Sequence, residues 1–281
     1  MKALLFLILL TLGSQAQLRI DPRGFKMAER ELRTLFEPTI SVFPKADDFT
    51  DPPLFISRNH EGPITLYERT PRGEVAIRLD SQDRYYCQFL YQFAHELAHV
   101  RANFQALDHE NKWLEETLCE TASLYVLRKL SSHWEKNAPN EALKNYRKNL
   151  TDYARQVMKT REPLTLKTSP AFYQKHRETL RKSATERTLN GAFANLILPL
   201  LEKNPEHWKI LPHFPRLKGA SLATHFEAWR KATPEKHHHF LARVEAIFLK
   251  NKTPDSPICQ SPGSHSSNSR RKAEIVLFSA P

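Results

Sequence analysis

Tyr91-Gln92-Phe93-Ala94-His95-Glu96-Leu97-Ala98-His99-Val100 is the stretch on which the reading of this chain turns. Phe89, Leu90, Phe93, Leu97 and Val100 recur at spacings of three and four, which predicts a helix with an apolar stripe packed on a core. On such a helix His95 and His99 stand one turn apart on nearly the same face. Both imidazoles then reach one metal ion, and Glu96 points at its open side as a base for water. The plainer reading is a buried helix with two hydrogen-bonded histidines. With 13 His in the chain, a chance match has to be weighed against the residues downstream.

A catalytic zinc ion ordinarily takes three protein ligands. The metzincin arrangement, with a Gly turn and a third His, fails here because Ala102 and Gln105 stand at those positions. The next helical run, from Lys112 to Ser123, carries Glu116 and Glu120 one turn apart. Glu116 is the candidate third ligand, and Glu120 the candidate acceptor for the remaining N–H of His95. Glu115 is the rival ligand, because neighbours on a helix point about 100° apart and only one can face the metal. His109 is a second rival, but Asp108-His109-Glu110-Asn111 reads as an exposed polar turn. Taken alone, Glu115, Glu116 and Glu120 fit a solvated helix start favoured by the dipole. Paired with His95 and His99, they favour ligation.

His95-Glu96-Leu97-Ala98-His99 followed by Trp113-Leu114-Glu115-Glu116 and Glu120 resembles the gluzincin zinc metallopeptidases. Trp113 to Glu116 is similar to the Trp-Leu-Asn-Glu of their aminopeptidase branch. The resemblance implies that His95, His99 and Glu116 hold Zn²⁺ and that Glu96 is the general base. It covers about residues 70 to 125. Neither the Gly-Ala-Met-Glu-Asn exopeptidase segment nor the Asn-Glu-x-x-Ser-Asp segment of the thermolysin type is found, so the family within the clan and the substrate stay open.

Residues 1–16 have one Lys, an apolar run and a small-residue end at Ala16, the pattern of a cleaved secretory signal peptide. An uncleaved anchor is the alternative. No later run is long enough for a membrane span. The expectation is a secreted or periplasmic protein with a peptide or protein substrate and no nucleic-acid partner. Its formal net charge of +11 suits contact with an anionic envelope surface or simply solubility. Of the Cys residues, Cys87 and Cys119 lie on the two candidate ligand helices and are the candidate disulfide; two small buried side chains are the alternative. Cys259 falls in a Pro/Ser-rich tail.

The fold expected is α+β and mostly helical. A lead-in spans 17–50, with a short helix from Met27 to Phe36 broken by Pro38. A zincin-like core spans 51–134. It opens with short strands at Leu54–Ser57, Ile64–Tyr67 and Val75–Leu79, read as a small antiparallel sheet. By resemblance, Val75–Leu79 is the edge strand that would pair with a peptide. Asp80 to Asp83 offer a cap for a motif helix over about 84–105, and the ligand helix runs over about 113–130. Residues 135–250 read as a helical subdomain forming the far wall of a cleft, and 251–281 as a disordered tail. A peptidase needs an oxyanion donor on that far wall. Tyr173 and His225 lead, with His176 and His213 behind them. His237-His238-His239 reads as a solvated helix start. The leading expectation is therefore an exported zinc metallopeptidase. The alternatives are a helical envelope scaffold or binding protein with a structural or vestigial metal site, and a zinc hydrolase acting on a non-peptide bond.

Overall fold

Short β-branched and aromatic runs at the N-terminal end pair into a four-stranded sheet, and amphipathic helices cover the rest of the core. The structure, a computed structural model, describes residues 18–103 and 105–249. The expected signal peptide over 1–16 and the tail over 251–281, with Cys259, lie outside the described residues. The strands are β1 (Leu18–Ile20), β2 (Leu54–Arg58), β3 (Ile64–Arg69) and β4 (Val75–Leu79), in the spatial order β1-β2-β4-β3. Both β1–β2 and β2–β4 are parallel, with Leu54 opposite Val75 and Ile56 opposite Ile77. Only β3–β4 is antiparallel, closed by a turn whose Gly73 sits at φ +78°. The sheet is thus mixed rather than wholly antiparallel.

The edge strand beside the motif helix is β3, not Val75–Leu79, which lies between β2 and β3. The burial patterns account for this. Four of the five β4 side chains are buried, as an inner strand requires, while β3 buries only Thr65.

The helices are α1 (Glu29–Val42), α2 (Tyr86–Arg101), α3 (Lys112–Asn137), α4 (Glu141–Lys159), α5 (Ser169–Lys182), α6 (Arg187–Lys203), α7 (Leu222–Ala232) and α8 (His238–Phe248). A 3₁₀ stretch at Pro205–His213 lies between α6 and α7. Helix α1 runs on through Pro38. The backbone bond lost there is offset by packing of Leu32, Leu35, Phe36 and Thr39, with Phe36 4.5 Å from Phe93 between ring centroids. No side chain caps α2; its preceding Asp83 sits at φ +47°, and Gln92 instead takes the Asp80 N–H at 2.9 Å.

Helix α3 is buried along nearly its whole length and packs against α2, α4 and α6. The boundary expected at 134 falls inside it, and one continuous apolar core joins the sheet to α8. Thr117, Thr121 and Ser123 satisfy their hydroxyls on carbonyls one turn back, which lets polar residues sit in that interior. At the end of α2, Arg101 is 1% exposed and forks onto Asp51 at 3.0 and 2.9 Å. It also donates to the Ile40 and Phe43 carbonyls at the end of α1. Asn103 sits at φ +54°, the left-handed turn that releases the chain toward α3. No described helix is long and apolar enough to cross a membrane.

Candidate metal centre

Helices α2 and α3 lie side by side, and their facing turns bring the motif together. His95 Nε2 is 3.3 Å from Glu116 Oε2, and His99 Nε2 is 3.6 Å from Glu116 Oε1. Donors that share a tetrahedral zinc ion at about 2.0–2.1 Å stand about 3.3–3.4 Å apart, so the residues present fit such an ion. Carboxylates stand behind both imidazoles, and one of them is hydrogen-bonded there. His99 Nδ1 is 2.9 Å from Glu115 Oε1, and since a carboxylate can only accept, Nδ1–H donates there while Nε2 faces Glu116. His95 Nδ1 faces Glu120 Oε1 at 3.7 Å. Glu115 is therefore turned to the back of His99, where Arg216 also reaches it at 3.2 Å, and it is not a rival ligand in this geometry.

Burial alone pushes the His99 imidazole down, but Cys119, Glu116 and Glu115 outweigh it and hold it well above its ordinary value. Burial likewise disfavours the Glu116 carboxylate, and His99 and His95 reverse this, holding it far below the usual carboxylate range. Carboxylates and imidazoles thus meet as mutually stabilising charges in the buried cluster.

Cys119 is a further donor: its Sγ lies within 4.8 Å of a ring nitrogen of both His95 and His99. It is 1% exposed, and burial pushes its thiol up to about 12. The donors of His95, His99 and Cys119 form a group that could hold a metal ion, beside the Glu116 carboxylate. The expected Cys87–Cys119 bridge does not form; both are free thiols. Cys87 turns to α4, 3.3 Å from the Tyr146 hydroxyl and 3.5 Å from the Asn149 carbonyl.

His95, Glu96, His99, Glu116 and Glu120 line one side of a cleft of about 700 Å³. Glu96 is 3% exposed, and the Thr65 hydroxyl of β3 donates to its Oε2 at 2.7 Å. Pro63 to Tyr67 form one wall of the cleft, so the edge strand runs along it. Tyr153, Val157, Arg161, Arg187 and Asn190 from α4, α6 and the loop between α4 and α5 form the opposite wall.

The residues named from sequence for that wall are elsewhere. Tyr173 is 6% exposed and packs on Trp113 and Phe248. His225 is fully buried and stacks on His109, with ring centroids 5.9 Å apart. His109 is itself 6% exposed, not a surface turn residue. Amphipathic spacing reports that a residue faces inward and cannot say into which space. His237 is also buried, its Nδ1 3.0 Å from that of His207. The residues that sequence reasoning passed over are Thr65, Arg161 and Arg216, each reaching the cluster from a distant segment with no local pattern to mark it, and Tyr91, one turn before His95 on α2. No protein-family model, curated protein or solved structure matches the chain.

Proposed function

We propose that the chain is a zinc-dependent metallopeptidase of the gluzincin kind that hydrolyses peptide bonds after export. The observation that carries this reading is the convergence of His95 Nε2 and His99 Nε2 on the Glu116 carboxylate, beside Glu96 and open to the cleft. A zinc ion held by His95, His99 and Glu116 supplies Lewis acidity, which makes water a nucleophile at neutral pH and polarises a carbonyl.

The chain's own residues do the rest. Glu96 takes a proton from the attacking water and delivers it to the leaving amine. Thr65 holds Glu96 Oε2, which leaves Oε1 to make that transfer. The outer edge of β3, the end strand of the four-stranded sheet, binds an extended peptide through main-chain hydrogen bonds, which suits a substrate defined by its backbone. On the opposite wall, Tyr153 has a hydroxyl with no hydrogen-bond partner among the described residues, and it takes the donor role to the developing oxyanion.

A second reading has one observation in its favour. If Cys119 joins His95, His99 and Glu116, the ion has four protein ligands, and the site is a closed structural one in a scaffold or binding protein. Metal analysis of the purified protein, combined with X-ray absorption at the zinc edge, separates the two. The peptidase reading expects one zinc per chain with only nitrogen and oxygen ligands. A sulfur neighbour at about 2.3 Å sinks it in favour of the closed site.

A further inference from the structure

Arg161 lies in the loop after α4, forty-one positions from Glu120 in sequence, and closes on it at 2.5 Å through Nη2. The same nitrogen is 2.8 Å from the Tyr91 hydroxyl, which also donates to Glu120 Oε2. Nη1 is 3.3 Å from both the Gly191 carbonyl and Asn195 Oδ1. The guanidinium side chain is only 8% exposed, as is that of Glu120. Both of its terminal nitrogens are engaged by the protein, so it is not a free cation waiting for a substrate carboxylate.

Its seat is built. A Cβ on Gly191 would stand 2.5 Å from Arg161 Nε and 2.9 Å from its Cδ and Cζ. Any larger residue there would displace the guanidinium. Glu120, meanwhile, lies one turn beyond Glu116 on the same helix face, and a carboxylate so placed and left loose would compete for the cation. Arg161 and Tyr91 together hold Oε2 and leave only Oε1 directed at His95 Nδ1, 3.7 Å away.

We propose that Arg161 is a positioning residue for the metal site: seated over Gly191, it holds Glu120 with Oε1 facing His95 Nδ1 at 3.7 Å and keeps it from ligating in place of Glu116. This rests on the zinc reading above. It also gives the helical wall formed by α4 and α6 a direct grip on the ligand set, through a residue that touches neither the ion nor the substrate.

The test is zinc affinity of the mature chain, read by competition with a chromogenic chelator and independent of turnover. Arg161→Gln and Gly191→Ala are each expected to weaken zinc binding by about 10- to 100-fold, with Arg161→Lys recovering part of the loss. If Arg161 acts through Glu120, the double variant R161Q/E120Q binds no more weakly than E120Q alone, whereas a general structural role adds to it. Thermal melts after chelator treatment show whether a variant has lost its fold; should R161Q fail there, R161K and its pairing with E120Q carry the comparison. Unchanged zinc affinity in R161Q and G191A, or additivity with E120Q, overturns the role of Arg161 and leaves the metal reading intact. A wild-type chain that takes up no zinc overturns both.

Discussion

Two of the histidine pairs, His95–His99 and His109–His225, have opposite surroundings. His95 and His99 meet edge to face at 5.2 Å between centroids, and carboxylates face their ring nitrogens: Glu116 in front, Glu115 and Glu120 behind. His109 and His225 stack nearly parallel at 18° among Phe214, Phe226 and Trp229. Neither nitrogen of His225, nor Nδ1 of His109, has a hydrogen-bond partner among the described residues. Burial pushes the His225 imidazole down to about 3, with His109 and Arg216 adding to the effect, whereas the carboxylates hold His99 up. Arg216 stands between the two regions, bonded to Glu115 on one side and repelling a proton on His225 on the other. Burial alone therefore says nothing about what a histidine does; the charge opposite it decides. One pair faces carboxylates and the other faces aromatic rings.

The largest effect expected comes from removing chemistry from the first pair's region while leaving its ligands. Glu96→Gln should keep zinc and lower kcat/KM on a peptide mixture by about 10²- to 10⁴-fold or more. Metal analysis and peptide cleavage, run on one preparation, check it; full activity in E96Q would refute the base assignment. His95→Ala should lose both zinc and cleavage. His225→Phe, the matching change in the second pair, should lose neither at neutral pH, since an aromatic ring replaces a neutral imidazole in an aromatic cage.

Much of the first pair was legible because its signal is local. Four-residue spacing within α2 and the Glu116/Glu120 spacing within α3 need only helical geometry to place side chains on a face. The short strands were legible too, from β-branched and aromatic runs between turns. The order of those strands was not, because which edge a strand occupies depends on pairing across the chain. The same holds for Arg161 over Gly191 and for Arg101 on Asp51, partners separated by tens of residues. His225 shows the failure most plainly. Its helix carries the amphipathic pattern correctly, and the residue does face inward, but into a core of rings rather than the cleft.

Acid should separate the two pairs. Above about pH 6.5 the neutral His225 costs nothing in either the folded or the unfolded chain. As pH falls from about 6.5 toward about 3, the unfolded chain takes up a proton that the folded chain refuses, so stability drops through that window. At pH 5 the loss is about 2 kcal/mol at most from this one group. His225→Phe should remove it, melting about 4–8 °C higher than wild type at pH 5 once their difference at pH 7.5 is subtracted. If the first pair holds zinc as proposed, it should lose the ion in acid for the other reason, because protons compete with the ion for the same nitrogens. His225→Phe should therefore restore the fold at pH 5 without restoring zinc affinity. A variant that regained both would mean that the two pairs titrate as one unit.

The smallest effect expected is none at all, and it concerns the thiols at the edges of these regions. Cys119 points toward His99, while Cys87 points away to Tyr146 and Asn149 on α4, so α2 and α3 are held together by packing and by their carboxylate–imidazole contacts, not by a covalent staple. A bridge closing the loop between them would contribute about 2–4 kcal/mol, lost on reduction. In a Cys259→Ser background, adding a thiol reductant should leave the melting temperature where it was, and both remaining thiols should react with a thiol reagent once the chain is unfolded without reductant. A fall of several degrees on reduction, with no thiols free beforehand, would mean that the helix pair carrying the metal site is fixed by a bond between Cys87 and Cys119 and that Cys119 is closed to any ligand role.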